Sequence, residues 1–466
     1  MVLIGTLAPG SAAAQGFGVY EQGTCVMARA GAAVAQGCDD GSSIYFNPAH
    51  IAGAQGTTVS LGATLIDANG DFTYDSVAEA PGGVREVELQ NDPVPVPHGY
   101  VTYGLNDRSG IGLGLYVPFG LETVWPQEVA DGRTFDGAFE GYDNRVQSIY
   151  VQPTIGYQVT PRLRVGGGPI LAVSTVELNQ LVDLSQTPTV EGGPRFGELG
   201  VPFHTAFAQA KLEGSNELGF GANIGASYRI SDRFTLGARF TTPIKVEYSG
   251  DASFEQIDTN LTVPADLTQG GQVLLPAGTP LDAALAPQFS EEGRLSEQGV
   301  ETEITFPFQL VAGVSVQATE RLLLLADYQL TGWSAFDEIP IDFEKATDTV
   351  REENYDNTHA VRLGAEYDVL DPLTARIGYL YNTAAAPDAV VTPLLPENDR
   401  NQFTLGVGWR PVETLEVNVS YHLLQQNSRR GRVRSELPGE PISTDLNQGL
   451  YEFGANLFGT TLTLYL

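Results

Sequence analysis

Basic residues are scarce in this chain, cysteine and methionine are nearly absent, and long apolar runs are missing beyond the first dozen positions. Lys and Arg number 25 against 57 Asp and Glu, for a formal charge of −32 at pH 7. That balance argues against nucleic acid as a partner, because phosphate backbones repel such a surface. With no stretch of 18 apolar residues after the start, a helical membrane span is excluded. A chain can still cross a bilayer as strands of about 9 to 11 residues with only half their positions apolar. The histidines at 50, 98, 204, 359 and 422 are scattered and form no metal or triad pattern. No metal, cofactor or catalysis is expected.

What the chain has is alternation. In His359 to Tyr367, Val361, Leu363, Ala365 and Tyr367 share one side of a period-two strand, with Arg362, Gly364 and Glu366 on the other. One side suits lipid, the other water or a ligand. The same pattern recurs at 148–159, 218–228, 234–240, 403–409 and 415–421. Marking breaks by Gly, Pro, Asn and Asp yields fourteen strands, near 56–67, 97–106, 109–117, 145–159, 161–177, 216–230, 233–249, 300–317, 320–333, 357–368, 373–382, 400–411, 413–425 and 450–465. Tight turns such as Asn106 to Ser109, Thr160-Pro161 and Ser231-Asp232 alternate with connections of tens of residues, where the acidic residues crowd. An antiparallel outer-membrane β-barrel has this signature, with short periplasmic turns, long extracellular loops and both termini periplasmic. A soluble sandwich would not need so regular a rhythm. In the last strand Phe453, Ala455 and Leu457 read as outward and the apolar parity then shifts to Leu462, Leu464 and Leu466, which suggests a bulge near Gly459.

Three regions are expected. Residues 1–14 read as the end of a signal peptide, with Ala12 and Ala14 placed as in an A-x-A site. Residues 15–55 do not alternate, are rich in Ala and Gly, and suggest one or two short helical turns around Met27 to Val34. Too small to fold alone, this segment needs a host cavity, and a barrel of that size needs a plug. Residues 56–466 make the barrel. Cys25 and Cys38 both fall in the plug, where an oxidising compartment favours a disulfide.

Gly16-Phe17, Glu21-Gln22-Gly23, Arg29-Ala30-Gly31, Asp39-Asp40-Gly41-Ser42 and Asn47-Pro48-Ala49 resemble the hatch of the FadL/TodX (OMPP1) family of outer-membrane transporters for long-chain fatty acids and hydrocarbons. Tyr116 to Leu121, Ile304 to Pro307, Leu363 to Tyr367, Arg376 to Tyr379 and Leu394 to Arg400 extend the resemblance over nearly the whole chain. The resemblance implies a fourteen-stranded barrel plugged by its hatch. It also implies capture of a hydrophobic substrate at extracellular loops, a pocket beside the amino terminus, and sideways release at a kinked third strand into the membrane lipid. Phe17 would be a lid or pocket wall, Asn47, Pro48 and Ala49 would lie near the gap, and Gly110, Gly112 and Gly114 would supply the kink. By parity, Arg164, Arg239, Asp327, Arg362, Glu366, Arg376 and Glu416 face inward; Arg362, Arg376 and Arg239 are the candidates to hold a carboxylate, unless they pair with the lumen acids. Apolar clusters at Val201-Pro202-Phe203, Phe207 and Val273 to Pro276 suggest a capture groove. Long-chain fatty acids are the favoured substrate because of those arginines, with aromatic hydrocarbons or alkanes as the alternative and a nonspecific porin as the rival class. A monomer is favoured. Ser420 and His422, two apart on one strand, face the lumen and give no hydrolase geometry.

Overall fold

A computed structural model describes residues 16–76, 80–129, 132–189, 193–263, 266–269, 272–434, 436 and 443–466. The expected signal-peptide stretch, 1–14, lies outside the described residues. Fourteen antiparallel strands close into a barrel: β1 (Thr57–Tyr74), β2 (Val94–Asn106), β3 (Ser109–Val124), β4 (Asp143–Gln158), β5 (Leu163–Asp183), β6 (Ala206–Arg229), β7 in two pieces (Phe234–Thr241 and Ile244–Gln256), β8 in two pieces (Gln298–Phe306 and Gln309–Gln317), β9 (Leu322–Thr331), β10 (Thr358–Leu370), β11 (Leu373–Asn382), β12 (Arg400–Val412), β13 (Leu415–Gln426) and β14 (Gly449–Tyr465). Closure is made by β1 and β14, which pair without a break from Thr58 with Tyr465 to Tyr74 with Gly449.

Several strands exceed their expected lengths because the wall continues past the apolar band. In β6, Phe220, Ile224 and Tyr228 are exposed near the short-turn end, whereas Lys211 and Glu213 pair with each other on the wall toward the long loops. Only the first set suits lipid. The neighbouring strands β7 and β8 both break, at Thr242-Pro243 and at Pro307-Phe308, since proline cannot donate to the ladder.

The last strand corrects one expectation. Its pairing shows no bulge at Gly459, and one parity runs throughout. Ala455 and Leu457 are buried inward against Met27, while Phe458, Leu462 and Leu464 are exposed. The inward face is itself apolar at this height, which imitates a parity switch in the sequence.

The segment before β1 folds inside the barrel. Its helical turns are α1 (Thr24–Met27), α2 (Ser43–Phe46) and a 3-10 turn at Pro48–Gly53. Helical turns were expected around Met27 to Val34; Met27 closes α1, but beyond it Ala30 and Gly31 take positive φ and the chain is irregular up to α2. Cys25 and Cys38 are joined by a disulfide that closes this irregular stretch.

A second, smaller core lies among the long loops. Leu184, Phe196, Val201, Phe207, Leu281 and Leu285 pack together between the β5–β6 and β7–β8 connections. Two of the residues expected in a capture groove, Val201 and Phe207, therefore serve as loop core, while Phe203 and Val273 remain exposed.

Candidate functional site

The kink in β3 lies at Val117-Pro118. Its register against β4 slips between Tyr116 and Phe119, where two residues of β3, Val117 and Pro118, lie against one of β4, Ile149. On its other side β3 pairs with β2 only as far as Leu115 with Gly99. The remaining part of β2, Val94 to His98, pairs with β1 alone and leaves a gap in the wall. Gly110, Gly112 and Gly114 are not the kink. They sit in the regularly paired part, and a Cβ on Gly112 or Gly114 would come within 2.8 or 2.9 Å of Ile44 in α2. Glycine there gives the hatch room to press on the wall.

The backbone groups that the kink frees are taken up by the start of the hatch. Gln22 donates from its amide to the Val117 carbonyl at 2.6 Å and accepts the Val117 N–H at 3.0 Å. The Val19 N–H bonds the Pro118 carbonyl, and the Gly120 N–H bonds the Phe17 carbonyl. The β3 side of the gap is thereby unpaired in the sheet while its backbone groups at Val117, Pro118 and Gly120 stay satisfied.

Phe17 is buried in a nest of rings, with centroids at 4.9 Å from Trp333, 5.5 Å from Phe336, 6.1 Å from Phe306 and 6.3 Å from Phe119, all edge-to-face. Gly16 precedes it at φ 59°, packed against the Trp333 ring, and its N–H donates to Glu397 at 2.5 Å. Glu397 also accepts from Ala385 and Ala386, so three backbone donors converge on this buried side chain and tie the residue before Phe17 to the loop. Two cavities meet at this ring. The outer chamber, of about 520 Å³, is lined at the gap by Val94, Val96, Val117 and Leu121. The inner one, of about 60 Å³, lies under the loops among Ile304, Phe336, Ile339, Ile341 and Leu394. Both are also lined by Phe17, Leu121, Val146, Val176 and Leu395.

The inner cavity has a charged cap. Arg351 meets Glu140 at 3.1 Å and Glu353 at 3.2 Å. Glu353 is raised to about 7 by burial, against the pull of Arg351 and with Glu140 adding to the rise. Further ties bind the loops together: Trp125 donates to the Pro393 carbonyl, and Asp136 accepts from Tyr74 while meeting His204 at 2.5 Å. Neither Glu397 nor this cap was found by sequence reasoning, because the residues lie in loops with no period to mark them.

The three arginines expected to hold a carboxylate lie elsewhere, under or against the hatch. Arg239 donates to the Tyr45 carbonyl and Gln309 and sits 4.8 Å from the Tyr45 ring. Arg362 lies 4.1 Å from the Tyr20 ring. Arg376 bonds Glu366 and Asn418. The hatch completes this network, since Arg29 meets Glu366 at 3.6 Å and Asp327 accepts the Ala33 and Val34 N–H groups. Asn47 caps the 3-10 turn by accepting the Ala49 N–H and donates to the Val34 and Ala226 carbonyls. Its packing against Gly225, with Pro48 against Gly166, puts the Asn-Pro-Ala turn on β5 and β6 rather than at the gap. Ser420 and His422 both face the hatch, bonded to Met27 and to Gln402.

A closed barrel with its lumen blocked by its own amino-terminal segment, and an apolar chamber beside an unpaired stretch of wall, is the build of a plugged barrel channel. The family model for the outer membrane protein transport protein (OMPP1/FadL/TodX) matches residues 5–463, and the chain belongs to that family. Outer membrane protein P1 of Haemophilus influenzae is 24% identical over 90% of this chain and 88% of that protein. Among solved structures, a Pseudomonas aeruginosa FadL homologue superposes with a TM-score of 0.78 at 20% identity, covering 97% of this chain and 100% of the other. The toluene transporter TodX of Pseudomonas putida does so with 0.64 at 17% identity, covering 94% and 96%. The chain is thus an outer-membrane transport protein of a family that carries hydrophobic compounds.

Proposed function

We propose that this protein lets hydrophobic small molecules enter the cell passively, by capture at the long loops on the outside, passage past Phe17, and release through the β2–β3 gap into the hydrocarbon layer. The observation that carries this reading is the gap itself, a stretch of unpaired wall that borders an apolar chamber, with the start of the hatch bonded across the adjoining kink. An apolar solute gains nothing from an aqueous pore and is stabilised by leaving sideways into lipid. The hatch, filling the lumen with a hydrogen-bonded network, favours this route over that of a nonspecific porin. No reaction is needed, and the protein acts as a monomeric transporter rather than an enzyme, with its termini in the periplasm.

The test is uptake of labelled long-chain fatty acid and of toluene by a transporter-deficient host. The strain carries either the intact chain or a chain with Pro118 deleted, which removes the extra residue and lets β3 pair onward. Uptake of at least one probe should require the intact chain and fall several-fold in the deletion, with the barrel still folded in the membrane. Equal uptake by the deletion variant would move release to another route. The Phe17→Ala variant should lower uptake as well, by emptying the ring nest between the two cavities.

A further inference from the structure

We propose that the path through this protein selects uncharged hydrophobic molecules over carboxylates, and that Glu140 and Glu353, by pairing with Arg351 at the cap of the inner cavity, are specificity-determining residues. This rests on the transport reading above and names its substrate class. The expectation of fatty acids drew on arginines facing the lumen; Arg239 and Arg376 are bonded beneath the hatch, Arg362 lies over the Tyr20 ring with its Nε and Nη2 unbonded, and none of the three lines either apolar cavity. What faces the cavities is different. In the inner one, two carboxylates stand beside one guanidinium. All three nitrogens of Arg351 are in use: Nη2 bonds Glu140 and Thr392, Nη1 bonds the Glu140 carbonyl, and Nε meets Glu353. A ligand carboxylate arriving there would find four of the five N–H groups of Arg351 taken and two like charges beside the fifth, in a medium of low dielectric.

The outer chamber has the same sign. Glu21, Asp92, Glu122, Glu177 and Glu213 line it against Arg145 and Arg400, with Glu177 and Glu213 also paired to Lys211 on the wall. Arg145 is taken by Glu122 and Asp143. Arg400 gives its N–H groups to the Gly16 carbonyl and to Gln426, which makes it the one guanidinium in the chamber bonded to neutral groups among the described residues. Alkanes, aromatic hydrocarbons, long-chain alcohols and esters meet no such repulsion, and the apolar parts of both linings serve them equally well.

The experiment uses the full chain in lipid nanodiscs and a matched pair of probes, radiolabelled hexadecanol and hexadecanoate, at pH 8. The tails are the same length, so only the head group differs. Wild type should bind hexadecanol at least about tenfold more tightly, a difference of about 1.4 kcal/mol. In the Glu140→Gln, Glu353→Gln double variant, whose amides keep acceptors for Arg351, that ratio should shrink several-fold. Hexadecanoate binding as tight as hexadecanol in wild type overturns the proposal. So does selective loss of hexadecanoate in Arg400→Gln, which would make Arg400 the carboxylate partner. A wild-type preference for the alcohol that the double variant leaves intact removes the cap from the explanation. Binding of neither probe by folded protein would instead sink the transport reading itself.

Discussion

The lumen near the short turns and the lumen near the long loops are built on opposite principles. Below, inward side chains are polar and bonded to the hatch: Asp327 to two backbone N–H groups, Glu366 to Arg29 and Arg376, and Gln152 to the Ile44 carbonyl. Above, inward side chains are apolar, as Leu457, Val96 and Val146 are, and they enclose space. Removing partners from a buried ionic network strands the remaining charges, so the lower half resists opening. Apolar surfaces part without orphaning any group, so the upper half can admit a guest and release it. One barrel thus holds a lock and a chamber.

The largest expected effect comes from breaking the lock. Arg29→Ala removes a buried guanidinium bonded to Glu366, the Gln36 carbonyl and Cys38, and should loosen the hatch by about 3–5 kcal/mol. Single-channel recording should then show ion conductance, absent or rare in wild type, while the barrel remains folded. Next comes the Cys25–Cys38 bridge, which spans a separation of 13 residues. Replacing both with Ser should cost about 2–3 kcal/mol of hatch stability in the chain-entropy picture, read as faster amide exchange confined to residues 24–40.

A pH effect sharpens the contrast from the other side. Glu353, in the loops, sits at about 7 when the cap is assembled, above the usual carboxylate range. The assembled state holds the extra proton, so its stability is fully present below about 4.5 and is lost as pH rises through about 7, by up to about 1.4 kcal/mol per pH unit between these values. Arg351 and Arg432 oppose this rise and Glu140 reinforces it, while Tyr355 is a further titratable neighbour. Protease susceptibility of the loops should increase from pH 5 to pH 8 in wild type and stay flat in Glu353→Gln. The smallest effect is expected from Val96→Thr at the gap, a near-isosteric change that buries one hydroxyl for about 1 kcal/mol and should slow uptake a few-fold without altering the hatch.

The sequence carried the wall well. His359 to Tyr367 alternates as expected, with Val361, Leu363 and Tyr367 exposed and Arg362 buried, because period-two patterning is imposed locally by lipid on one face. The presence of a hatch was legible too, in the loss of alternation before Gly56 and in the motifs of the family. Where reasoning from pattern failed, a third body had changed the meaning of a residue. Ala455 and Leu457 are apolar for the sake of Met27 and the chamber, not lipid. Gly112 and Gly114 yield to Ile44, not to a bend. Arg239, Arg362 and Arg376 face inward as expected; Arg239 bonds the hatch, Arg376 bonds Glu366, and Arg362 meets the Tyr20 ring while its Nε and Nη2 stay unbonded.

By itself, then, the sequence determined the strand number, the faces of the wall and the presence of a plug, since each follows from periodicity within a short stretch of chain. Only the tertiary structure decided where the wall opens and which charges meet the cavities. Those depend on residues such as Gln22 and Val117, or Glu140 and Arg351, that are far apart in the chain and acquire their roles when closure of the barrel brings them within hydrogen-bonding distance.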